Sequence, residues 1–211
     1  MTPKRQIIVV TDGDDVARSA VERAGKKLGL RTISRSGGNP TPLTGNEIAE
    51  LVKRAPYDPV LVMVDDRGKS YKFKGEEALE ELYDHPDMEI VGVVAVASNT
   101  FQAEGTRVDA SVTRSGDVVE GPVDKYGRAT RHGDGKLYGD TVDVLNEMDV
   151  PVVIGLGDLG KMDGADFPQK GCPRTVQAVK EVLERGGLTL REVPMSHRSR
   201  GQGAGGREQG S

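Results

Sequence analysis

The sequence predicts a three-layer α/β fold: a mainly parallel sheet of about five strands, helices on both faces, and an antiparallel hairpin inserted beside it. The first observation is a set of apolar runs, Gln6 to Val10, Val60 to Val64, Ile90 to Val96 and Val150 to Ile154, with no polar alternation. Such runs read as strands buried on both faces, as in a parallel sheet wrapped by helices. The second is that helical periodicity separates them, and parallel crossovers usually run through helices. The third is that each run ends abruptly in acidic, small or glycine residues, as in Thr11-Asp12-Gly13-Asp14 and Asp65-Asp66-Arg67-Gly68. In open α/β sheets ligands bind outside the carboxyl ends of the strands, so these residues outline a cleft.

After the first strand, Ala17, Ala20, Val21, Ala24 and Leu28 fall on one helical face, with Asp12 or Asp14 as N-cap and Gly29 as C-cap. A short strand at 31–34 precedes Ser36-Gly37-Gly38-Asn39-Pro40-Thr41-Pro42, whose glycines and prolines require a loop. Thr44 and Glu47 match a capping box for a helix burying Ile48, Leu51, Val52 and Ala55. Strand 60–64 leads to a helix from about Gly75 to Asp84, and the longest run, 90–96, is expected at the centre of the sheet. Val108 to Thr113 alternates, Ser115-Gly116 signals a turn, and Val118-Val119 returns. Residues 121–138 read as a long loop, which is functional or mobile. Asp140 is expected to cap a helix burying Val142, Leu145 and Met148 before the last strand at 151–155. Cys172-Pro173 then opens a helix with proline at its first position and Val176, Val179, Val182 and Leu183 inside.

Length and composition bound the rest. The 211 residues predict one domain over 4–190, followed by a disordered tail at 191–211 whose glycines and charges offer little to bury. A formal charge of -4 gives no electrostatic footprint for nucleic acid. One cysteine fits a reducing compartment, and no apolar stretch has the length of a signal-peptide core or a membrane span. The chain is therefore expected to be soluble and, by default, cytosolic.

The candidate chemistry sits at the strand ends. Asp12 and Asp14 after the first strand and Asp65 and Asp66 after the third converge if those strands are neighbours, and Asp12 with Asp65 would then hold Mg²⁺ through hard oxygen ligands. This resembles the acidic set of a Toprim domain, with a contiguous aspartate pair in place of Asp-x-Asp. Adjacent residues point to opposite faces, so one of the pair reaches a shared ion. Read structurally, Asp12 or Asp14 caps a helix and Asp66 makes a turn. Asp12-Gly13-Asp14 also resembles the nucleophile and general acid of haloacid-dehalogenase-type phosphatases, with Ser98 and Asp158 in that family's order. Val16 and the lack of a clearly placed lysine depart from that pattern. Gly155 to Lys161 satisfies a phosphate-loop spacing, but Met162 replaces the Mg²⁺-binding Ser or Thr, which leaves Lys161 as a simple anion contact. Asn39 and Asn99 complete the expected ligand-binding set with Asp12, Asp14, Asp65, Asp66, Ser98, Asp158 and Lys161. Three histidines without metal-ligand spacing give no zinc site. Cys172 at a helix N-terminus would have a lowered pKa or simply a structural role.

Several strings together are more specific: Val10-Thr-Asp-Gly-Asp14, Ser36-Gly-Gly-Asn-Pro-Thr-Pro-Leu-Thr-Gly45, Asp58-Pro-Val-Leu-Val-Met-Val-Asp-Asp66, Val94-Ala-Val-Ala-Ser-Asn-Thr100, Val123-Asp-Lys-Tyr-Gly127, Gly139-Asp-Thr-Val142 and Val150-Pro-Val-Val-Ile-Gly-Leu-Gly-Asp-Leu-Gly-Lys-Met162. In this order, over residues 4–187, the chain resembles the stage V sporulation protein AE family of endospore-forming bacteria. The apolar runs and strand-end acids read as a Rossmann-like, Toprim-like sheet, and the resemblance implies a soluble accessory protein of sporulation and germination. It would act at the spore inner membrane with membrane proteins of the same operon, which handle dipicolinic acid. It implies no catalytic residues and no established cofactor. Two function classes follow. One is a binding module for a membrane partner or a small anionic ligand; the other is a Mg²⁺-dependent phosphoryl-transfer enzyme using Asp12, Asp14 and Asp65.

Overall fold

Strands that are apolar on both faces need cover on both faces, and the helices supply it. The computed structural model describes residues 3–66, 73–99, 103–130 and 134–188. In chain order the elements are β1 (Arg5–Val10), α1 (Asp15–Leu28), β2 (Arg31–Thr32), α2 (Gly45–Lys53), β3 (Val60–Met63), α3 (Lys74–Asp84), β4 (Met88–Val96), β5 (Ala110–Val112), β6 (Val118–Val119), β7 (Val153–Leu156) and α4 (Pro173–Arg185). The seven strands lie in the order β2-β3-β1-β4-β7-β5-β6, which puts β4 at the centre as its long apolar run predicts. The five expected parallel strands are present. The hairpin extends the sheet, because β5 pairs parallel to β7 and only β6 runs antiparallel. The tail expected beyond residue 190 lies outside the described residues.

Side-chain alternation sorts the core into two layers. Ile8, Val10, Leu61 and Met63 face α1 and α4, while Ile7, Val9, Val60 and Val62 face α2 and α3. In β4 the alternation breaks once. The register with β1 slips between Ile7 and Ile8, whose partners are Ile90 and Gly92. The extra residue is a β-bulge that turns two consecutive positions, Val91 and Gly92, towards α4. Only glycine fits the second, since a Cβ there would stand 2.4 Å from Val182 Cγ1 and 3.1 Å from Val152 O.

Local signals hold at most helix ends. Asp14 Oδ1 accepts from Ala17 N at 2.8 Å, Gly29 closes α1 at φ 70, and Thr44 and Glu47 form both halves of the capping box. Two expectations are corrected. The strand expected at 31–34 ends at Thr32, and Ser36 instead turns back so that its hydroxyl accepts from Met63 N at 2.8 Å. The helix expected from Asp140 is a short 3-10 turn, Asp143–Glu147. Thr141 has φ 58, which breaks a helical start, and Asp140 is bonded to Ser98. The carboxylate of Asp143 binds the amides of Glu104 and Gly105, each at 2.8 Å. Val142 and Leu145 are buried on the α2/α3 face all the same.

The bulge gives a direct test. Gly92→Ala is expected to lower unfolding free energy by about 1–3 kcal/mol through overpacking against α4. Urea denaturation measures it, and an unchanged midpoint would remove the close approach from this account.

Candidate functional site

Adjacent strands whose following loops leave towards opposite faces open a crevice at the carboxyl edge. β1 leads to α1 on one face and the neighbouring β3 leads to α3 on the other. At that point a cavity of about 120 Å³ is lined by Thr11, Asp12, Asp14, Asn39, Asp65, Val96, Ser98, Asp140, Asp158 and Lys161. Seven of the nine residues expected from sequence meet there. Asp66 and Asn99 stand outside it, and Asp140, which the sequence suggests only as a helix cap, belongs to it.

Hydrogen bonds fix the walls. The 36–42 loop is tied to the end of β3, where Thr41 N donates to Asp65 O at 2.9 Å and Thr41 Oγ1 accepts from Asp65 N at 2.7 Å. Asp65 Oδ2 accepts from Gly13 N at 3.1 Å, binding the loop after β1 to the same point. Gly13 can be nothing larger, since a Cβ would lie 2.7 Å from Gly38 O. Thr11 Oγ1 accepts from Val96 N at 2.9 Å and fastens the ends of β1 and β4. Ser98 Oγ donates to Asp140 Oδ1 at 3.1 Å and accepts from Asp140 N at 3.0 Å.

Asp66 faces the other way, as neighbouring residues on a strand must. Its carboxylate is buried and accepts from Gly75 N, from Glu76 N at 2.9 Å and from Thr141 Oγ1 at 3.0 Å. It holds the first turn of α3 from outside the helix, and α3 packs so tightly that a Cβ on Gly75 would be 2.7 Å from Asp65 backbone atoms. Burial raises the Asp66 pKa, and the bonds from Gly75, Thr141 and Glu76 oppose that rise. Asn99 lies in a second, larger pocket of about 420 Å³ between the end of β4 and residues 122–126, 130, 134–136 and 138, which shares Ser98 with the first.

The charges in the cleft are uneven. Among the described residues Asp12 has one long hydrogen bond, from Asp14 N at 3.4 Å, and its pKa is raised well above the ordinary carboxylate range. Burial is the main cause, followed by the carboxylates of Asp14, Asp65 and Asp158. Lys161 is ion-paired to Asp158, and that bond raises the Lys161 pKa. Asp158 Oδ1 also accepts from Gly160 N at 3.0 Å. An aspartate thus occupies the lysine and amide that a phosphate would need, and the phosphate-loop spacing makes no phosphate loop. Cys172 is buried and its thiol is pushed up to about 11, first by burial and then by Asp166, so a lowered pKa is not found there. Asp166, not Cys172, caps α4 through Arg174 N, Thr175 N and Thr175 Oγ1.

A hard cation needs several charged oxygens converging on one point. Among the described residues no group of three or more His, Cys, Asp or Glu side chains is placed to hold a metal ion. The cleft presents Asp12 with its raised pKa, the Asp14 cap, the engaged carboxylates of Asp65, Asp140 and Asp158, and a lysine paired with Asp158.

Comparison with known proteins gives one positive result. The family model described as stage V sporulation protein AE1 matches residues 6–186, which run from β1 to the end of α4. The curated proteins and the solved structures compared with the chain contain no match.

The two carboxylates predict opposite stabilities. Because the folded-state pKa of Asp12 is raised, its burial costs nothing below the ordinary value of 3.8, where folded and unfolded chains are both protonated. The cost grows as pH rises from there towards the folded value. Asp12→Asn is therefore expected to stabilise the protein at about pH 7 and to leave it unchanged at about pH 3. Asp66→Ala, which leaves three donors without an acceptor, should destabilise by about 2–4 kcal/mol at neutral pH. Denaturation of both variants at the two pH values reads these signs.

Proposed function

The chain belongs to the stage V sporulation protein AE family, and on that premise we propose that it is a non-catalytic accessory of the spore, peripheral to the inner membrane. In this reading it engages the membrane proteins of its operon that handle dipicolinic acid, in sporulation and at germination. No helix among the described residues is long and apolar enough to cross a membrane, which suits a peripheral role.

The observation that carries the reading is the state of the cleft. Its residues follow β1, β3, β4 and β7 or come from the 36–42 and 139–142 segments, and the groups that phosphoryl chemistry would use are engaged with the fold. Asp14 caps α1, Asp65 holds Gly13 N and Asp158 holds Lys161, while Asp12 is crowded by the carboxylates of Asp14, Asp65 and Asp158, which raise its pKa together with burial. Catalysis needs a nucleophile, a base and charge stabilisers free at matched positions. Recognition needs only a fixed surface with directed donors and acceptors. A bare anion is disfavoured here by the surrounding carboxylates. A Mg²⁺ ion between Asp12 and Asp65 would have to complete its shell with water.

The test combines activity and capture. Purified protein with Mg²⁺ is expected to hydrolyse phosphate monoesters and nucleotides no faster than the buffer background. Immobilised protein should retain the operon's membrane proteins from detergent-solubilised spore membranes, identified by mass spectrometry. Asp12→Ala should reduce that retention by about tenfold or more while circular dichroism stays unchanged. Mg²⁺-dependent turnover that disappears in Asp12→Ala would replace this reading with phosphoryl transfer.

A further inference from the structure

Phe167 and Val16 are 48% and 42% exposed, the two most exposed large hydrophobic side chains among the described residues. They come from distant parts of the chain and line one groove of about 600 Å³. Val16 and Ser19 of α1 form one wall, Phe167 and Pro168 form the other, and Gly160 borders it on the side of the acidic cleft. We propose that this groove and the cleft beside it bind one extended segment of a protein partner. A bulky apolar side chain of that segment fills the groove, and a lysine or arginine a few residues away enters the cleft. The proposal rests on reading the cleft as a recognition surface and adds the chemistry of the partner.

Single exposed hydrophobic side chains are ordinary, but two that line a common groove mark an interaction surface. Phe167 is held out by a fixed loop. Asp166 before it is buried and binds Arg174 N, Thr175 N and Thr175 Oγ1. After it, Phe167 O accepts from Lys170 N at 2.9 Å, and Gly171 N donates to Pro168 O at 3.0 Å. The ring packs on Gly164, where φ is 73 and a Cβ would come within 2.9 Å of Cε2. A fixed aromatic ring offers apolar area at small entropic cost, the property of an anchor position at an interface.

The charges select the partner. Groove and cleft share a boundary: Asp14 lines the cleft, and Val16, two positions on, lines the groove. Gly160 N donates to Asp158 Oδ1 at 3.0 Å across the same boundary, so a few residues of extended chain cross it. The cleft carries five aspartates, Asp12, Asp14, Asp65, Asp140 and Asp158, against Lys161. Asp15 adds a carboxylate at the groove itself, and its exposed pair with Arg18 offsets little of that charge. Lys170 stands on the wall of Phe167. A segment is thus drawn in with its basic residue over the cleft and its apolar residue in the groove. The same excess of acid repels an anionic lipid surface, which an exposed ring alone would also suit.

Panning a random peptide library, displayed on phage, against the immobilised full chain tests this. Enriched peptides are expected to carry Phe, Leu or Trp within about four residues of Lys or Arg. The strongest, labelled with fluorescein, is followed by anisotropy. Phe167→Ser, Val16→Ser and Asp15→Lys should each weaken it about tenfold or more, while Val118→Ser, at an exposed position of β6, should not. Unlabelled peptides with the basic residues replaced by norleucine, or the apolar residue by serine, should each compete at least about tenfold more weakly. No enrichment, enriched peptides without basic residues, or affinity unchanged in Phe167→Ser would each overturn the proposal. So would binding to phosphatidylglycerol vesicles that Phe167→Ser abolishes. Retention of the operon's membrane proteins that is lost in Asp12→Ala but survives Phe167→Ser would keep the partner reading and remove this one. Peptide binding of the expected kind without such retention would do the reverse.

Discussion

Two adjacent carboxylates at the end of β3, turned in opposite directions, hold the functional edge of the sheet together. Asp65 gathers the loop after β1 and the 36–42 loop on one side, through Gly13 N and Thr41. Asp66 gathers α3 and the 139–142 segment on the other, through Gly75, Glu76 and Thr141. Both are almost fully buried, at 3% and 1% exposure. Burying a carboxylate is costly unless directed donors replace its water, and here backbone amides and threonine hydroxyls do so. On the cleft side, the loop after β1 and the 36–42 loop both lean on Asp65.

That scaffold separates two neighbouring sites of contrasting electrostatics. Around Asp12, acids crowd one another and raise its pKa, and the one lysine among the described residues of the wall is consumed by Asp158. Across Ser98, among the described residues, Lys125 and Lys136 form no ion pair, and Asp124 and Asp134 accept from the backbone of their own loop. The Ser98–Asp140 pair lies between them and touches both.

Two helices show the same strategy of remote capping. The N-cap position of α3 is Phe73 and that of α4 is Cys172, and neither side chain makes a capping bond. Asp66 and Asp166 do the work from buried positions outside each helix. The first-turn amides that a water molecule would satisfy at a surface helix are here used to dock the helix against the sheet. For this reason a carboxylate that reads as part of a metal site in sequence is a structural fastener in the fold.

By itself the sequence determined the parallel sheet, the central place of 90–96, the Asp14 cap, the Thr44–Glu47 box and the proline opening α4. Each rests on spacing or chemistry within a few residues, which propensity and periodicity capture. It also brought seven cleft residues to one edge, because parallel strands deliver all their carboxyl ends to the same side. The tertiary structure alone decided which way Asp65 and Asp66 point, that Asp140 meets Ser98 across 42 positions instead of opening a helix, and that Cys172 is buried beside Asp166. It alone paired Lys161 with Asp158 and set Lys136 on Glu104 O. Charge state and hydrogen-bond partnership depend on groups far apart in the chain, and no local pattern encodes a distance that folding creates.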